Sequence, residues 1–338
     1  MTRKNLGKRI FGLFILLFIG VYSTNAQVNN DSSQTHEITI YVMPTMHPLD
    51  WAGPAQLLES TKKCYLKTMT QADNYLIGHL AVGIKSPLVS NPYYIAQSSS
   101  SLQEKINLIY KQKIGLGILG ASLQGRLETT DELAHKFNVY TKRNKLAFIK
   151  FKINKTAVNR ILQFISEYQK KDANNLAACD FYGGAFWPRF HNEGSGCSAF
   201  GMALLETANI IPAKSEEWMI DVNIPIELIG GEYNNNKKVR FRNINKVKSW
   251  SNKDGVPNVD FVRYALYEPS IMFDWILEKR NENDSIYKPI DENGVPGLFV
   301  DATDINTNET DPLFVKRTEQ NLFVDHFMEK NIKLQAEK

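Results

Sequence analysis

The residue in this sequence best suited to chemistry is Cys197, which directly follows Gly194-Ser195-Gly196. From it, Phe200, Ala203, Leu204, Thr207, Ala208 and Ile211 recur at helical spacing, and Pro212 closes the run. Cys197 is therefore expected in the first turn of a helix. A helix N-terminus carries roughly half a positive charge. That field favours thiolate over thiol. The free N–H groups of the first turn can also hold an oxyanion when a thiolate attacks a carbonyl. Gly196 lets a substrate approach the backbone. Ser198 follows the nucleophile and is counted with the substrate-binding residues, but a thiol ionises nearer neutral pH than the Ser195 or Ser198 hydroxyl. Cys197 shares its stripe with Phe200, Leu204, Ala208 and Ile211, so its side chain is expected to face a sheet.

The partner expected for this thiol is His79, in the middle of a strand spanning Tyr75 to Lys85. Alternation puts the bulky Leu76, Leu80, Val82 and Ile84 on one face. His79 shares the other face with Tyr75, Ile77, Ala81 and Gly83. Its small neighbours on that face leave space above the imidazole.

The elements that must position this pair are legible in outline. Glu37 to Met43 alternates as a strand, Ala55 to Met69 reads as a helix, and Pro44 to Pro54 joins them as a loop. Ser101 to Lys113 reads as a helix with Leu102, Ile106, Ile109 and Tyr110 on one face. Leu116 to Leu127 is glycine-punctuated and ambiguous. Lys145 to Ile153 is a strand, and Asn154 caps a helix to about Lys171 with Val158, Ile161, Leu162 and Ile165 as its stripe. Trp218 to Val222 and Val239 to Phe241 read as strands, Asn234 to Asn236 as a turn, and the polar stretch Asn281 to Asp311 as loop.

Between the helix capped by Asn154 and Cys197 lies a loop of aromatics and glycines, Phe181 to Pro188. Trp187 is expected to line a substrate cleft with His191, while Phe181, Tyr182 and Phe186 fit a cleft or a core equally well. His191 and Glu193 supply two metal-type ligands on one loop with no second pair nearby, so no zinc site is expected. Asp291-Glu292-Asn293-Gly294 and the run Asp301 to Asp311 carry oxygen ligands but not helix–loop–helix calcium spacing. No metal or cofactor is expected.

Cys64 and Cys179 lack a glycine-flanked helix start and read as packing residues. Three cysteines is an odd number, so at least one is free or pairs outside the chain. A Cys179–Cys197 disulfide is an alternative that would remove the nucleophile.

The N-terminus carries Arg3, Lys4, Lys8 and Arg9, then 13 uncharged residues from Ile10 to Tyr22, then small residues at Thr24 and Ala26. This is the order of a secretory signal peptide over residues 1–26. The run is shorter than the roughly 20 residues of a spanning helix. The protein is thus expected to be exported, periplasmic or extracellular, with no membrane span after cleavage. Residues 1–26 hold four basic and no acidic residues, so the remainder has 36 basic against 36 acidic. A balance near zero argues against a nucleic-acid partner.

The order of G-H-x-x-V-G on a strand, then helices, then G-C-S-x-F at a helix start resembles the circularly permuted branch of the papain-like NlpC/P60 superfamily. That branch includes the lecithin-retinol-acyltransferase-like proteins and related bacterial thiol hydrolases. The resemblance covers residues 37–212, with His79, Cys197 and Phe200 at the matching positions. It implies an α+β papain-like core over residues 27–213, with a nucleophile helix packed on an antiparallel sheet. Residues 214–338 would complete or decorate it. It also implies an exported thiol hydrolase, a thiol protease or acyltransferase acting on peptide, peptidoglycan or acylated substrates. A third residue orienting the imidazole would come from the strand after the histidine strand, where Tyr93, Tyr94 and Gln97 stand. No such residue is evident from sequence alone, which also fits a non-catalytic exported binding protein built on the same core.

Overall fold

Alternating β-branched residues build the central strand, β1 (His36–Met43), whose Ile38, Ile40 and Val42 are fully or almost fully buried. The computed structural model describes residues 35–69, 78–252 and 254–336. The expected signal segment 1–26 and the Tyr75–Ile77 part of the histidine strand lie outside the described residues. The chain continues through α1 (Pro54–Met69), β2 (His79–Lys85), β3 (Tyr93–Ser99), α2 (Leu102–Ile106), β4 (Leu123–Glu128), α3 (Thr130–Thr141), β5 (Ala147–Ile153) and α4 (Lys155–Tyr168). Then follow β6 (Phe181–Tyr182), α5 (Cys197–Thr207), β7 (Met219–Pro225), α6 (Phe241–Ile244), β8 (Phe261–Tyr267), α7 (Pro269–Lys279), β9 (Lys288–Glu292), β10 (Val295–Ala302) and α8 (Leu322–Ala336).

The fold is mixed α and β. Eight strands form one sheet in the order β6-β4-β3-β2-β1-β5-β10-β9. The expected antiparallel sheet is corrected to a mixed one, because β10 runs parallel to β5 while the other pairs are antiparallel. On one face Ile40, Val82, Ile149 and Leu298 pack against Val158 and Ile161 of α4, Phe200 and Leu204 of α5, and Met272 and Ile276 of α7. On the other face Ala81, Ala96 and Phe148 pack against Leu133 and Tyr140 of α3. A separate hairpin, β7–β8, packs its Ile224, Val262 and Tyr264 in a second apolar cluster with Leu58 of α1 and Ile244 of α6.

Local chemistry accounts for the helix starts. The Asn154 side chain accepts from Ala157 N at 2.9 Å and opens α4. Thr129 and Glu132 form a capping box ahead of α3.

Several sequence readings are corrected. Asn281 to Asp311 is not all loop, because Lys288–Glu292 and Val295–Ala302 are strands of the main sheet. Pro289 is tolerated because β9 is an edge strand, and Pro296 because it precedes the stretch of β10 paired with β5, which starts at Gly297. The expected helix Ser101–Lys113 ends at Ile106 and continues as a wider helical turn over Asn107–Gln112. Val239 makes one isolated bridge with Ile114, and Phe241 opens a short helix rather than ending a strand. The Cys197 helix stops at Thr207, so Ile211 falls beyond it and is exposed. Among the described residues no helix is long and apolar enough to cross a membrane.

Candidate active site

Cys197 is the first residue of α5, after Gly196 as N-cap. Glycine offers no side-chain cap. The N–H groups of the first turn therefore remain for a ligand. The helix approaches β2 closely at Gly201, where a Cβ would stand 2.2 Å from Leu80 Cδ2. That approach brings the first turn of α5 to the start of β2. His79 is the first residue of the strand there, not a mid-strand residue as expected. α5 packs on the Leu80–Val82 face, while His79 belongs by alternation to the opposite one. The two side chains meet because each sits at the end of its element.

The Cys197 thiol hydrogen-bonds with the His79 ring and also receives the Leu80 backbone N–H. Ser198 Oγ lies 4.0 Å from Cys197 Sγ. Burial pushes the thiol pKa up, but the His79 charge and these hydrogen bonds outweigh it, leaving it below its ordinary value. Burial by itself would lower the His79 pKa. The Cys197 thiolate and Glu128 overcome that and raise it to about 9. Both shifts favour a thiolate–imidazolium pair.

Glu128 is the site residue that sequence reasoning missed. Its Oε2 accepts from His79 Nε2 at 2.5 Å, leaving Nδ1 for the thiol. Its other oxygen accepts from Lys136 Nζ. Burial raises the Glu128 pKa, but His79 and Lys136 bring it down to about 2, so the carboxylate stays charged at the end of β4. The available signal was weak: an acidic residue just before the Thr129 capping box, at the end of a segment of ambiguous structure.

The residues expected to orient the imidazole do other work. Gln97 donates from Nε2 to the carbonyls of Cys179 at 2.8 Å and Phe181 at 3.1 Å. Tyr94 packs edge-on against Tyr41 and Phe137. Tyr93 packs against the larger core on the other face. The structure corrects all three.

Of the expected substrate-binding residues, Trp187, Gly196 and Ser198 line the same cavity as Cys197. His191 does not; it is exposed, with its ring 6.0 Å from that of Phe314. Glu193 is buried and held by Arg317 at 2.7 Å. Ser195 turns away to the Tyr168 hydroxyl at 3.0 Å. Cys179 and Cys197 are both free thiols, so the disulfide between them is not formed. Two tyrosines complete the surroundings. The Tyr182 hydroxyl hydrogen-bonds Cys197, and Tyr264 is buried close enough to feel its charge.

Comparison with protein-family models, curated proteins and solved structures gives no match. What the arrangement can do therefore rests on its geometry. A buried thiol at a helix start, a basic imidazole and a charged carboxylate behind it form a relay in which each group holds the next.

Proposed function

We propose that this protein is an exported, cysteine-dependent hydrolase or acyltransferase that cleaves amide or ester bonds, built on a permuted papain-like core of the NlpC/P60 kind. The observation that carries the reading is the chain of contacts from Cys197 to His79 to Glu128. Glu128 supplies the polar partner whose apparent lack in the sequence had favoured a binding protein.

In this reading the Cys197 thiolate attacks the substrate carbonyl and forms a thioester. The backbone N–H of Cys197 and the Tyr182 hydroxyl hold the developing oxyanion. The His79 imidazolium gives its proton to the leaving amine or alcohol. Water or another acceptor then attacks the thioester, with His79 taking its proton. Glu128 keeps the ring in the right tautomer and stabilises its positive form throughout. The cavity beside the thiol receives the substrate.

Labelling of the native protein with a thiol-directed activity probe tests this, with Cys197→Ala as control. The expected outcome is modification of Cys197 in preference to Cys64 and Cys179. Equal labelling of the three, or none at Cys197, would sink the reading.

A further inference from the structure

The cavity onto which Cys197 opens has a volume of about 2130 Å³. Pockets for small ligands typically hold about 300–1,000 Å³. Its wall is apolar where a soluble protein would normally bury such residues. Leu66 of α1, Leu102 of α2 and Tyr110 of the following turn line it and are 64%, 63% and 61% exposed. Ile106 and Phe241 continue the same surface. A contiguous apolar wall rimmed by polar groups marks a binding surface for something apolar.

Two lysines break this wall, Lys62 of α1, whose ammonium stands 5.7 Å from the centre of the Phe241 ring, and Lys105 beside the thiol. Lys105 of α2 is half-buried, and its ammonium stands 5.7 Å from the centre of the Tyr182 ring. Among the described residues no carboxylate pairs with it. The adjacent Glu104 instead accepts from Gln124 N at 2.8 Å. The arginines of the cavity are paired, Arg263 with Asp221 and Arg317 with Glu193. Lys105 thus offers a positive charge that feels Cys197 and Glu104 but forms no ion pair with a carboxylate, and that burial disfavours until an anion joins it.

We propose that the cavity takes an anionic amphiphile, with a long acyl chain along the α1–α2 wall, its carbonyl at Cys197 and a carboxylate a few atoms away paired with Lys105. This rests on the thiol-hydrolase reading above. An N-acyl amino acid has the required layout, since its carboxylate is one carbon from the amide nitrogen. The Cys197 Sγ–acyl bond forms as the C–N bond breaks, and the His79 proton passes to the amine. Water then adds its oxygen to the acyl carbon and its proton to His79 as the C–S bond breaks. The products are a fatty acid, an amino acid and the regenerated thiolate–imidazolium pair.

Binding is measured on Cys197→Ala protein with N-acylglycines bearing butanoyl, octanoyl and dodecanoyl chains, and with neutral N-dodecanoylethanolamine. Affinity should tighten by about fourfold per methylene until the cavity is filled. The ethanolamide should bind at least about tenfold more weakly than the glycine conjugate, the usual loss when a hydrogen-bonded ion pair is removed. Lys105→Gln, made in the same background, should abolish that preference while chain-length dependence remains. Affinity indifferent to chain length, or a carboxylate preference that survives Lys105→Gln, overturns the proposal. Wild-type protein is assayed separately for glycine release. Chain-dependent binding without release leaves the ligand class standing and removes the hydrolase reading. Preferential Cys197 labelling without chain-dependent binding does the reverse.

Discussion

Glu128 reaches His79 from a strand two places away in the sheet, with Oε2 2.5 Å from Nε2. Ala96, opposite Glu128 in the β3–β4 register, and Ala81, two residues beyond His79, are both fully buried on that face. Their methyl groups leave the room that the carboxylate crosses. Replacing Glu128 by Gln keeps the shape and removes the charge that stabilises the imidazolium. Turnover of a validated substrate should fall by about 10²–10⁴-fold. An unchanged rate would remove Glu128 from the relay.

The pH behaviour of Cys197 follows from the two shifts. The thiol ionises below its usual range, and the imidazolium persists to about pH 9. Alkylation and turnover should rise on the acid side as the thiolate forms, and turnover should fall again as pH passes about 9. In His79→Ala the thiol should lose its low-pH reactivity, because its main counter-charge is gone. Iodoacetamide rates measured against pH in both proteins check this.

Stability should respond with opposite signs at the two ends of the pH range. The raised His79 pKa makes its contribution fully present below its ordinary value of 6.5 and lost as pH rises through about 9. The depressed Glu128 pKa makes its contribution present above 4.5 and lost as pH falls through about 2. Denaturant titrations of wild type and Glu128→Gln at several pH values should show the acid-side loss shrinking in the variant.

Gly201→Ala should disturb the site without touching it. The new methyl would meet Leu80 Cδ2 at 2.2 Å, and Leu80 is fully buried with little freedom to give way. Overpacking of this kind costs about 1–3 kcal/mol. It should also shift the start of α5 from β2 and slow Cys197 alkylation. Adding Leu80→Ala should restore part of the alkylation rate, and no restoration would show that this contact does not set the spacing.

Gln97→Leu separates a structural role from a catalytic one. The carbonyls of Cys179 and Phe181 would lose their donor, at a cost of about 1–3 kcal/mol. The pH profile of the thiol should stay as in wild type. A displaced profile would return Gln97 to the site.

The sequence by itself determined the elements whose physics is local. The alternation in Glu37–Met43, the Asn154 cap and the glycine-flanked start of the Cys197 helix all appear where the residues indicate. The type and spacing of Cys197 and His79 were enough to pair them as candidates. Which carboxylate stands behind the imidazole was decided only by tertiary structure. Glu128 is 49 positions from His79, and a one-residue slip of β4 against β3 would turn it to the other face. The same limit governs Ser101–Lys113, whose Leu102, Ile106, Ile109 and Tyr110 share one apolar face. Periodicity reports that a surface is apolar; only the packing of the whole chain decides whether that surface meets another element or, as at Leu102 and Tyr110, an open cavity. In Lys288–Ala302, polar and proline-rich residues hid two strands, because pairing with β5 and an edge position, both set by the rest of the sheet, override local propensity.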